Sequence, residues 1–195
     1  MPPKPKYTKE QIVDAALGVV SRKGINALTA KELGKALNTS ATPIFTVFNS
    51  MQEVQDAVKT AAMKRFEFYA HNAAGADMPV FKRVGMKMIL FAKEEPYLYQ
   101  LIFMSQNSDV KSFDGVLDHL GSVAYECLDV IQKDYGLSAD DAKELFEHSW
   151  IHTYGIGTLC ATEMCDFSND QISKMLTQDF MAMMMMLKSV KHTEK

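Results

Sequence analysis

Leu28–Glu53 reads LTAKELGKALNTSATPIFTVFNSMQE, and its punctuation decides how the chain folds. Thr29 and Glu32 have the T-x-x-E spacing of a capping box, in which each side chain takes an N–H that the first helical turn leaves without a partner. Leu28, Leu33 and Leu37, with Ala30 and Ala36, then recur at roughly helical spacing. Asn38 and Thr39 end that run, because their short polar side chains compete for backbone hydrogen bonds and favour turns. A second short helix is expected over about 40–47, with Pro43 near its first turn, where a missing N–H costs least. Ser50 and Glu53 form another capping box and open a third helix. A helix, a tight turn and a helix with a small, polar leading end is the layout that carries a helix into a DNA major groove.

Upstream, Thr8 and Gln11 cap a first helix whose Ile12, Val13, Ala16, Leu17 and Val20 share one face, and Gly24 is placed to end it. Before it, Pro2, Pro3 and Pro5 hold an extended arm carrying Lys4 and Lys6. That arm is placed to lie along phosphates or reach a minor groove; a plain disordered tail is the bland alternative.

The succession TKEQIVDAALGVVSRKG, LTAKELGKALNTSATPIFTVF, NSMQEV resembles the DNA-binding region of TetR-type transcriptional repressors. The resemblance implies an all-α homodimer with an N-terminal three-helix DNA-binding domain, here residues 1–50. It also implies a C-terminal helical domain, 51–195, that pairs the chains and holds a small-molecule pocket. The chain departs from the pattern at two phosphate-contacting positions. Phe45, Thr46 and Val47 stand where the family usually carries a Tyr, often with a His, and Met51 stands where it usually carries a Lys. Lys4, Lys6, Thr29, Lys31 and Thr46 are therefore the candidates for phosphate contact, and Ser40, Ala41, Thr42 and Pro43 for base contact, with Phe45 beside them. Residues 40–47 hold no Arg, Asn or Gln for bidentate base contacts, so specificity is expected from thymine methyls, water and DNA shape.

The charge is distributed to match. Residues 1–50 carry seven basic and three acidic side chains, a net +4, while the whole 195-residue chain is −3, which leaves −7 for the rest. A basic head on an acidic body places a polyanion contact at one end. Apolar content of 47 % and charged content of 23 % suit a globular protein with a sizeable core. No apolar run is long enough for a membrane span, and MPPKPK lacks the apolar stretch of a signal peptide. Cys127, Cys160 and Cys165 are too few for a disulfide framework, which points to the cytoplasm.

Downstream, a long helix is expected from Ser50 to about Ala74, stopped by Gly75, Asp77 and Pro79, and able to serve as a lever. Further helical patterns cover about 78–92, 96–104, 112–134, 139–163 and 169–190, with breaks at Glu95-Pro96, Asn107-Ser108-Asp109, Gly136 and 165–168. His148 and His152 have metal-ligand spacing but no catalytic Glu between them, and no nucleophile–base set or phosphate loop is present. Neither a metal nor a cofactor is expected. The fourteen methionines and the aromatics concentrate after residue 60, and such side chains suit adaptable apolar pockets. Phe91, Tyr99, Phe103, Tyr125, Trp150 and Tyr154 are the candidates to line one for a small apolar or amphipathic effector.

WIHTYGIGTL (150–159) resembles a W-x-x-x-H-G-type segment of the dimer-interface helix in one branch of these regulators, with Tyr154 where that pattern has His. MAMMMML, 181–187, is apolar nearly all round, as burial between chains requires. A dimer seam of four helices, the last two of each chain, is expected. The sequence thus points to a ligand-responsive, homodimeric repressor on a near-palindromic double-stranded DNA operator, with no membrane partner. The alternatives are a helical ligand-carrier or protein-interaction module with a degenerate helix-turn-helix, and, less well supported, an enzyme.

Overall fold

The computed structural model describes residues 6–71, 79–106 and 110–193. Lys4 and its flanking prolines, the helix stop at Gly75 and Asp77, and the Asn107-Ser108-Asp109 break lie outside the described residues. The described helices are α1 (Lys9–Lys23), α2 (Ala30–Ala36), α3 (Met51–His71), α4 (Val80–Glu94), α5 (Pro96–Phe103), α6 (Phe113–Leu120), α7 (Ser122–Tyr135), α8 (Ala139–Ala161) and α9 (Asn169–Thr193). No strand occurs among the described residues, and no helix there is long and apolar enough to cross a membrane.

Local chemistry sets most of these boundaries. Thr8 and Gln11 close a reciprocal capping box on α1, and Gly24 ends that helix at φ +78°. Thr29 caps α2 by accepting from the Glu32 N–H at 3.2 Å, but only half of the expected box forms. The Glu32 carboxylate is drawn instead to Lys23 at 2.6 Å and Lys35 at 3.5 Å. Ser50 accepts from the Glu53 N–H, while the Glu53 carboxylate takes the Asn49 N–H at 2.8 Å.

Two expected helices take a different form. Residues 40–47 hold only a single 3₁₀ turn, Ile44–Thr46, entered through Pro43 at φ −61°, ψ −26°. Pro43 disfavours helical dihedrals at Thr42, and β-branched Ile44, Thr46 and Val47 leave too little chain to repay helix nucleation. The expected helix over 112–134 is two helices, because Gly121 sits at φ +59°, ψ −137°, outside the range of an L side chain.

The described chain forms two compact units, and the division falls inside α3, after Phe66. The first unit holds residues up to Phe66 together with Glu95–Ser105. Its core is built from Ile12, Ala16 and Val20 of α1, Leu33, Ile44, Phe48, Val54, Val58 and Phe66, and from Leu98 and Tyr99 of α5. Glu95 ties this unit together, accepting from the Ser21 hydroxyl at 2.6 Å and pairing with Arg65. The second unit holds Glu67–Glu94 and the chain from Gln106 onward. In it α8 packs against α4, α7 and α9. A Cβ on Gly85 of α4 would come within 3.3 Å of Leu176 and 3.5 Å of Thr153, so α4 crosses its neighbours closely.

Candidate nucleic-acid interface

The connection from α2 to the 3₁₀ turn is fixed by backbone contact. Asn38 adopts the left-handed region at φ +51°, which Asn tolerates, and the Thr39 N–H bonds back to the Gly34 carbonyl at 2.9 Å. The returning chain passes so close to α2 that a Cβ on Gly34 would lie 3.0 Å from the Thr39 carbonyl oxygen and 3.1 Å from the Ser40 carbonyl carbon. Ile44 and Phe48 then anchor the segment in the core at 0 % and 1 % exposure. The outer face presents Ser40, Thr42, Phe45 and Thr46, with Ala41 and Pro43 half-buried between them. Phe45, at 46 % exposure, is a large apolar side chain held out toward solvent. The Thr46 hydroxyl donates its proton to the Pro43 carbonyl at 2.7 Å, so in this conformation it has none to give a phosphate. The Thr29 hydroxyl is used only as an acceptor in its cap, which leaves its proton to donate.

The cations of residues 6–35 divide into paired and unpaired. Lys23 and Lys35 are held by Glu32, whose carboxyl lies below its usual range chiefly through the hydrogen bond from Lys23. Lys9 stands 3.6 Å from Glu53 and over the Phe48 ring. Lys6, Arg22 and Lys31 are exposed and have no carboxylate partner among the described residues. Lys6 lies against the turn itself, 3.4 Å from the Thr39 hydroxyl. Tyr7 places it there by donating its phenol proton to the Leu37 carbonyl at 2.7 Å. Sequence reasoning passed over Tyr7, because a contact spanning thirty residues leaves no local signal. Lys4 lies outside the described residues.

The six candidate pocket residues fall in different places. Tyr99, fully buried, and Phe103 pack with Phe66 in the first unit, with ring centroids 4.9 and 5.0 Å apart. Phe91 packs edge-on against Tyr69 in the second unit. Trp150 stacks nearly parallel on Phe146 at 6.1 Å, and Tyr154 is half-buried on α8. Tyr125 is 52 % exposed and donates to Asp118 at 2.6 Å, an outward position on α7. His148 is exposed, and His152 stands 3.5 Å from Asp179. No group of three or more metal-ligating side chains occurs among the described residues.

No protein-family model matches the sequence, and no curated protein matches it. Solved structures do match the fold. A candidate TetR-family transcriptional regulator from Vibrio parahaemolyticus aligns at a TM-score of 0.63 and 14 % identity over 88 % of this chain and 96 % of its own. A TetR-like transcriptional regulator from Rhodococcus sp. RHA1 aligns at 0.60 and 13 % identity over 88 % and 92 %. A protein of unknown function from the same organism aligns at 0.68 and 14 % identity over 93 % and 97 %. The chain has the all-helical fold of the TetR-type regulators.

Proposed function

We propose that the chain is a ligand-responsive DNA-binding repressor that acts as a homodimer on a near-palindromic operator. The observation that carries this reading is the outward face of Ser40, Thr42 and Phe45, seated on buried Ile44 and Phe48, with Lys6 against the turn at Thr39 and Lys31 exposed on α2, neither paired with a carboxylate among the described residues. Phosphate contacts from Lys6, Lys31 and Thr29 set register, and the small side chains with Phe45 meet base edges and thymine methyls. Dimerisation is supported by the exposed Ile151, Met181 and Met185 on α8 and α9, and by Gly155, whose absent Cβ faces open space that a second helix can enter. An effector that prefers one dimer geometry shifts head spacing through α3, which belongs to both units. Lys31→Ala tests the head. It is expected to weaken DNA binding about equally across sequences and lower the salt slope by about 1 per head. Salt-independent or absent DNA binding by the parent chain instead favours the carrier or protein-interaction reading.

A further inference from the structure

The second unit contains a recess of about 270 Å³ that the candidate pocket residues do not line. It is walled by Phe81 and Lys82 at the start of α4, Tyr135 at the end of α7, and Leu176, Phe180 and Met181 of α9. Its apolar wall is a ring cluster: Phe180 lies 5.3 Å from Phe81 and 4.9 Å from Tyr135, centroid to centroid. Three polar side chains line the recess: Lys82, Tyr135 and Thr177, the last with its hydroxyl donating to the Ser173 carbonyl at 2.8 Å. Lys82 is half-buried and makes no ion pair among the described residues. It also sits in the first turn of α4, where the helix dipole disfavours an unpaired cation. The Tyr135 hydroxyl has no hydrogen-bond partner among the described residues either, and burial, with the adjacent Asp134 carboxylate second, raises its pKa, so it remains a neutral donor.

We propose that this recess binds a small monocarboxylate with an apolar body, the carboxylate on Lys82 and Tyr135 and the body against Phe81, Phe180 and Leu176. The volume is just below that of ordinary ligand cavities, which restricts the occupant to one small molecule. A carboxylate satisfies both unpartnered donors at once, whereas a neutral apolar molecule leaves the half-buried ammonium as it is. The proposal deepens the effector reading above by giving the effector's chemical class, and it rests on that reading only for its consequence on DNA.

The test is calorimetric titration of the full chain with octanoate and with octanol, a neutral molecule of equal chain length. Octanoate is expected to bind with one site per chain. Lys82→Met, which keeps the aliphatic stem, is expected to cost at least tenfold for octanoate while leaving octanol within twofold of the parent. Tyr135→Phe is expected to give a smaller loss for octanoate, and circular dichroism confirms that both variants fold. No octanoate binding to the parent chain, or equal binding by Lys82→Met, overturns the proposal. The titrations contain no DNA, so octanoate binding with these variant effects upholds the site even where operator affinity stays unchanged, a result that would defeat the effector reading alone.

Discussion

Gly34 shows how one missing methyl positions the proposed reading face. Its hypothetical Cβ meets carbonyl atoms of Thr39 and Ser40 at 3.0–3.1 Å, and backbone atoms in a tight turn yield less readily than a side-chain tip. Gly34→Ala is expected to destabilise the chain by about 1–3 kcal/mol in urea denaturation, the usual range for overpacking, and to weaken DNA binding by displacing residues 40–46. A stability equal to the parent's would contradict this close approach. The cysteines make a second residue-scale test. Cys127 is 1 % exposed, and burial, with Glu126 second, pushes its thiol up to about 12. Cys165 is only half-buried. Iodoacetamide followed by mass spectrometry is expected to label Cys165 first in the native chain and Cys127 only after denaturation. Early labelling of Cys127 would show that the α7 packing is wrong.

At the scale of elements, the caps were legible in the sequence because each is a contact three residues long: Thr8–Gln11, Thr29–Glu32, Ser50–Glu53. The division of labour inside a cap was not legible. Glu32 turns away to Lys23, nine residues back, a partner that only the folded arrangement of α1 and α2 supplies. The break at Gly121 was hidden for a related reason. Apolar periodicity runs through Leu117, Leu120, Ala124 and Cys127, all buried, so the pattern shows no gap where the backbone turns. Gly121→Ala forces an L residue into a positive-φ conformation and is expected to cost about 1–3 kcal/mol, read by urea denaturation, while DNA affinity of the folded protein stays at the parent's level. A neutral effect would mean that α6 and α7 are continuous after all.

At the scale of the molecule, the basic head was visible as a charge imbalance over residues 1–50, but which of its cations stay unpaired was not. Glu32 and Glu53 withdraw Lys23, Lys35 and Lys9, leaving Lys6, Arg22 and Lys31 exposed without carboxylate partners among the described residues. The pocket was less legible than the head. Aromatic richness in the sequence does not separate Tyr99, which is buried in the core of the first unit, from Tyr135, which is half-buried at the edge of a recess in the second. That distinction depends on which helices cross, and no local pattern encodes it.

Sequence-specific DNA recognition by a dimer is the central claim, and selection of bound fragments from genomic DNA by the purified chain, at about physiological salt, tests it most directly. The account predicts recovery of an inverted repeat whose half-sites lie about one helical turn apart, or a multiple of that, as two symmetric heads require. Recovery of unrelated fragments, with weak binding that disappears as salt is added, would contradict it.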